Sequence, residues 1–128
     1  MPSEREAAMN LSFKLFLEEE NRYILGPGRV ELLRAVEELG SLRKAAQKLG
    51  MSYRWAWGRL RDVEKALGVP LLESGESAAR GAAKTLTPQA RELLAWYSGL
   101  EKDIAAALDK GAAAWPVFLR PGSTQGRD

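Results

Sequence analysis

Between Gly40 and Gly68 the chain reads GSLRKAAQKLGMSYRWAWGRLRDVEKALG, two helical stretches that are each opened by a serine and are separated only by Gly50 and Met51. Ser41 stands where an N-cap belongs, and Leu42, Ala45, Ala46 and Leu49 share one face of the short helix behind it. Gly50 ends that helix as a C-cap glycine does. Ser52 caps the next helix, which runs to about Leu67 and stops at Gly68. Two helices joined across so short a turn, with the small Ala45 and Ala46 allowing close approach, have the sequence shape of a helix-turn-helix.

The second of these helices is strongly two-faced. With Ala56 at zero and about 100 degrees per residue, Leu60, Val63 and Leu67 fall within about 40 degrees of it and form a seam for the core. Arg54, Gly58, Arg61 and Lys65 fall on the opposite side. This is the division required of a helix that enters a DNA major groove, where residues at its start reach base edges and cations further along meet phosphates. Tyr53, Arg54 and Trp57 are the candidates for base contact, and Ser52 caps the helix and is placed to touch phosphate. Arg61 and Lys65 are expected on phosphates. Gly58 costs about 1 kcal/mol of helix propensity against alanine, and its bare backbone there would let DNA approach closely. Trp55 and Trp57 flank the seam. Trp55 is expected to pack over the side of the core or against the segment that follows, since large aromatics bury their area. For Trp57 stacking on sugar, contact with a thymine methyl and a structural brace are all open.

The rest of the chain supplies a frame for that unit. Leu11, Phe13, Leu15 and Leu17 alternate with Ser12, Lys14, Phe16 and Glu18, the period of a half-buried strand, and Arg22 to Leu25 follows the polar EEEN turn as its hairpin partner. Gly26-Pro27-Gly28 punctuates the chain before a first helix whose apolar spacing covers Val30 to Leu39 and which stops at Gly40. After Val69-Pro70-Leu71-Leu72, the segment to Leu86 is rich in Gly, Ala and Ser and is predicted to form a two-stranded wing carrying Arg80 and Lys84. Thr87 caps a long fourth helix with Pro88 at its first position. Its Leu93, Trp96, Tyr97, Leu100, Ile104 and Leu108 exceed what a three-helix core can cover and are expected to form a two-fold interface. The expected organisation is an N-terminal extension over 1–10, one domain over 11–110 and a partly disordered tail over 111–128. The fold class is α+β, mainly helical.

Composition narrows the function. The formal net charge is only +2 over 128 residues, but it is unevenly placed. Residues 1–40 carry −3, whereas residues 41–65 set Arg43, Lys44, Lys48, Arg54, Arg59, Arg61 and Lys65 against Asp62 and Glu64, giving +5. Such a local excess is the footprint a polyanion needs. There is no Cys and no His, which removes disulfides, thiolate nucleophiles, imidazole acid–base chemistry and the commonest zinc ligands. Glu18, Glu19 and Glu20 diverge at a turn and suit a solvated hairpin tip better than a metal site. Thr85 and Thr87 lack a partner base. No enzyme activity and no cofactor is expected. The charged N-terminus leads into no long apolar run, so no signal peptide or membrane span is readable and a cytoplasmic location is the default.

The ordered set GSLRKAAQKLGMSYRWAWGRLRDVEKALGVPLLE, a glycine-rich wing and LTPQARELL resembles the N-terminal winged helix-turn-helix of the LysR-type regulators. It is more similar still to the DNA-binding domain of the ModE-type molybdate-responsive regulators, in which a Ser-Tyr-basic-x-Ala-Trp helix start and a Gly-rich wing recur. The similarity spans about Leu11 to Leu108. It implies a homodimer that binds double-stranded DNA at a palindromic operator, the long last helix contributing to the dimer. The regulators of this type continue into a molybdate-binding domain that this sequence does not contain, so molybdate binding by this chain is not expected. The reading of a different class is a winged helix used as a protein-interaction module, because fold alone does not fix function. Steep salt dependence of duplex binding separates the two.

Overall fold

The computed structural model describes residues 9–75 and 84–120. Glu20 and Asn21 both take left-handed backbone, with φ of 50° and 67°, as a two-residue hairpin turn of matching twist requires. The strands it joins are β1 (Leu17–Glu19) and β2 (Arg22–Leu25), antiparallel, with Leu17 opposite Leu25 and Glu19 opposite Arg22. Pairing therefore starts only at Leu17, six residues later than the alternation from Leu11 indicates. The partner strand has ended by then, since Gly26 and Pro27 already open a helix. The alternation survives as burial, with Phe13, Leu15 and Leu17 half-buried while Ser12, Lys14, Phe16 and Glu18 are exposed.

Helix α1 (Pro27–Leu39) takes in Pro27 and Gly28, which the sequence reading placed before it. Proline's fixed φ suits the first helical position, and its missing N–H costs nothing there. Gly26 has a packing reason: a Cβ on it would lie 2.6 Å from Phe16 Cδ1 and 2.9 Å from Tyr23 Cε1, whose rings meet edge to face at 5.9 Å. Arg29 fastens this hairpin. It donates from Nη1 to Ile24 O at 2.6 Å, lies 4.5 Å over the Tyr23 ring and reaches Asp62 at 3.7 Å.

The two serine caps form as the sequence predicts. Ser41 Oγ accepts from Lys44 N at 3.0 Å at the start of α2 (Leu42–Lys48), and Ser52 Oγ accepts from Trp55 N at 3.0 Å at the start of α3 (Tyr53–Leu67). Between them Gly50 adopts φ 72°, a conformation that residues with a Cβ rarely adopt. The turn is closed by Met51 N donating to Ala46 O at 3.0 Å. The wing forms from β3 (Leu72–Ser74) and β4 (Lys84–Leu86), antiparallel, with Leu72 opposite Leu86 and Ser74 opposite Lys84. Arg80 lies outside the described residues. Thr87 is buried; its hydroxyl accepts from Ala90 N at 3.1 Å and donates to Pro70 O at 2.7 Å, capping α4 (Pro88–Ala113) and tying it to the chain before the wing.

The described residues fall into two compact units, one within 14–98 and one of residues 9–13 with 99–120. The first holds the core, in which Leu25, Leu32, Leu33, Leu42, Leu60, Leu71 and Leu86 are fully buried. Tyr97, expected on the exposed stripe of the last helix, belongs to this core instead, and its hydroxyl donates to Leu15 O at 2.6 Å. Burying its ring while satisfying the hydroxyl is the more stable arrangement. In the second unit a Cβ on Gly111 would meet Leu11 Cδ1 at 3.6 Å, and a short 3-10 turn covers Val117–Leu119.

Candidate nucleic-acid interface

Helix α3 buries Ala56, Leu60 and Val63 completely and Leu67 partly. On its opposite face Arg54, Arg61 and Lys65 are exposed. The predicted seam and basic face therefore both exist, and Ser52, Tyr53, Arg54, Trp57, Gly58, Arg61 and Lys65 are brought onto one helix and its cap. A Cβ on Gly58 would meet nothing within 4 Å. Nothing among the described residues therefore requires a glycine there.

The charges at the helix starts run against helix stability. An α-helix N-terminus favours acids and disfavours cations, yet neither α2 nor α3 has an acid in its first turn. Arg43 and Lys44 stand there in α2, and Arg54 in α3. Arg54 and Lys65 have no hydrogen bond or ion pair among the described residues. The amides of Tyr53 and Arg54, which have no acceptor among the described residues, and these cations give the start of α3 a positive potential from backbone dipole and side-chain charge together.

Three arginines lie on three aromatic rings along this surface. Arg43 sits 4.5 Å over the ring of Tyr53, Arg59 5.5 Å from that of Trp55 and Arg61 5.2 Å from that of Trp57. Such stacking at exposed sites is worth about 0.5–1 kcal/mol. Trp55 corrects the expectation that it packs over the core or the wing: it is 59% exposed. Its position about 100 degrees from the seam already leaves it at the edge of the buried face, where the Arg59 guanidinium lies 5.5 Å from its ring and leaves most of it open to solvent. Trp57 is 39% exposed. Tyr53 is half-buried and packs against the core cluster.

Arg43 and Arg59 are members of the surface that the sequence reading did not single out. Arg59 is four residues beyond Trp55, the spacing at which helix side chains touch, so that pair was readable. Arg43 meets Tyr53 only because the turn brings α2 against α3. Arg61 also bonds Glu64, Nη1 to Oε1 at 3.1 Å. Lys84 stands apart on the wing, 3.4 Å from Ser74 Oγ. Among the described residues no group of three or more His, Cys, Asp or Glu could hold a metal ion.

A helix-turn-helix followed by a two-stranded wing and a long helix, with cations on the outer face of its third helix, defines a winged helix-turn-helix domain. The family described as bacterial regulatory helix-turn-helix protein, lysR family, matches residues 28–91, from the first turn of α1 into α4, and the chain belongs to this family. Among curated proteins it is 32% identical over 93 residues to the transcriptional regulator ModE of Haemophilus influenzae, covering 73% of this chain and 36% of that protein. It is 32% identical over 84 residues to the molybdenum-pterin-binding protein MopB of Rhodobacter capsulatus, covering 66% of this chain and 31% of that one. The chain thus spans about a third of the length of the curated relatives it matches. Among solved structures, the CbnR DNA-binding domain in complex with DNA aligns with a TM-score of 0.52 at 24% identity, over 68% of this chain and 94% of that one. The BenM DNA-binding domain with catB site 1 DNA gives 0.51 at 24%, over 68% and 90%. At these identities the likeness is one of fold.

Proposed function

We propose that this chain binds double-stranded DNA sequence-specifically, as the DNA-binding part of a transcriptional regulator, and that two copies sit on a palindromic operator. The observation that carries the reading is the start of α3, where Arg54 and the first amides have no partner among the described residues and the first turn holds no acid, an arrangement that an incoming anion would stabilise. The names of the relatives and the DNA complexes of the two structural neighbours support it. In this reading Tyr53, Arg54 and Trp57 face bases, Ser52, Arg61 and Lys65 face phosphates, and Lys84 with Arg80 of the wing reaches the flanking backbone. In this reading the protein acts without catalysis or cofactor, in the cytoplasm, as a transcriptional regulator would. Two copies gain through effective concentration what one short helix lacks. On α4 the half-buried Leu93 and Trp96, 49% exposed, offer apolar surface for pairing, which would set the recognition helices about 34–36 Å apart on the duplex.

The test is duplex binding measured across salt concentration after selection of preferred sequences from random duplexes. Lys65→Ala is expected to weaken binding to all sequences alike and to lower the slope of log affinity against log salt by about one. A sequence-selective loss would place Lys65 on a base instead, and binding that ignores salt would favour a protein partner over DNA. Gly58→Ala is expected to stabilise the fold by up to about 1 kcal/mol through helix propensity, seen as a higher melting temperature, while lowering affinity for the preferred duplex. Equal or better affinity would mean that no DNA backbone comes near residue 58.

A further inference from the structure

The carboxylate of Glu64 stands between the two parts of this surface. Its Oε2 accepts the backbone N–H of Leu71 at 2.7 Å and of Leu72 at 3.2 Å, where the chain enters β3. Its Oε1 accepts Arg61 Nη1 at 3.1 Å on the outer face of α3. The Glu64 side chain is only 11% exposed, against 46% for Arg61. A carboxylate taken this far out of water is a poor source of stability for its own sake, since apolar packing at such sites is often as good or better. Its three accepted bonds instead join specific groups.

One of these groups is a DNA-facing cation and the other is the root of the wing. A guanidinium has five donors in one plane. Arg61 is held at Nη1 by Glu64 and lies against the Trp57 ring, so its plane is set while further donors remain for an incoming phosphate. On the other oxygen, the amides of Leu71 and Leu72 fix where β3 begins, and with it the position of Lys84, which pairs opposite Ser74 two residues further on. We infer that Glu64 is a positioning residue for DNA binding, a single carboxylate that sets both Arg61 and the wing, so that phosphate contacts by α3 and by the wing are energetically coupled. This rests on the proposed DNA-binding function.

The test is a double-mutant cycle on the full chain, using the tightest duplex recovered by selection. Arg61→Ala, Lys84→Ala and their combination are measured with Glu64 present and again with Glu64→Gln, which keeps an acceptor for the amides but cannot pair with a cation. With Glu64, the combined loss of affinity is expected to differ from the product of the single losses by about 3- to 10-fold. With Glu64→Gln the losses are expected to multiply, while the melting temperature of that variant stays near that of the unaltered protein. If Glu64→Gln fails to fold, Glu64→Asp, one methylene too short to serve both sides, carries the same cycle with the same expectation. Losses that multiply with Glu64 in place, or a coupling that persists without it, overturn the inference while leaving DNA binding standing. Failure of the unaltered chain to bind any duplex overturns the proposed function, and this inference with it.

Discussion

Arg54→Ala is expected to lower affinity for the preferred duplex by about 1–3 kcal/mol and to relax selection at one base pair in each half-site, with a melting temperature that is unchanged or slightly higher. The two halves of this expectation have one cause. Arg54 is the second residue of α3, exposed and without a hydrogen bond or ion pair among the described residues. A cation in that position works against the helix dipole by about 0.3–1 kcal/mol. Removing it relieves the free protein and deprives the complex of a donor at the point where a recognition helix meets base edges. Selection from random duplexes, repeated with the variant and accompanied by thermal melts, checks both halves. A variant that keeps the original sequence preference would take Arg54 off the bases. A clear drop in melting temperature would show that its side chain serves the fold.

The features legible in the sequence are those with a local cause. Ser41, Ser52 and Thr87 cap their helices because a short hydroxyl side chain before an apolar run has few better uses. The seam of Ala56, Leu60 and Val63 follows from the helical period alone. The two short wing strands follow from the breaks around them. The misreadings concern side chains whose environment is built by another part of the chain. The place of Tyr97 on α4 predicts an exposed stripe, yet it is buried, with Leu15, 82 residues away, offering a carbonyl to its hydroxyl. The size of Trp55 predicts packing over the side of the core or against the wing, yet it is 59% exposed because its helix turns it to the boundary, with only the Arg59 guanidinium against it. Arg43 on Tyr53 and Glu64 on the amides of Leu71 and Leu72 likewise depend on chain reversals, at Gly50 and at Gly68, whose directions no periodicity encodes. For the interface this means that the cations on the α3 face were readable, whereas the contacts that orient them were not.

Leu60→Ala tests the opposite side of the same helix and is expected to reduce stability by about 2–5 kcal/mol, the range for truncating a buried leucine whose cavity cannot fully collapse. Leu60 lies between Arg59 and Arg61 in sequence, yet it is fully buried in the core that contains Val30, Leu33, Val63 and Leu86. A domain of this kind holds only about 5–15 kcal/mol in total, so the loss shows as a large fall in the denaturant midpoint with little change in slope. Because the side chain is buried on the side of α3 opposite its basic face, the folded fraction is expected to keep its sequence preference and its salt slope. Apparent affinity should therefore fall on warming as folded protein is lost, and recover at temperatures where the variant is fully folded. Leu67, half-buried at the end of the same seam, should show a smaller loss on the same substitution, since less apolar contact is removed. If Leu60→Ala instead changed sequence preference under conditions where circular dichroism shows it folded, the two faces of α3 would not be independent. The assignment of recognition to Arg54, rather than to the orientation of the whole helix, would then fail.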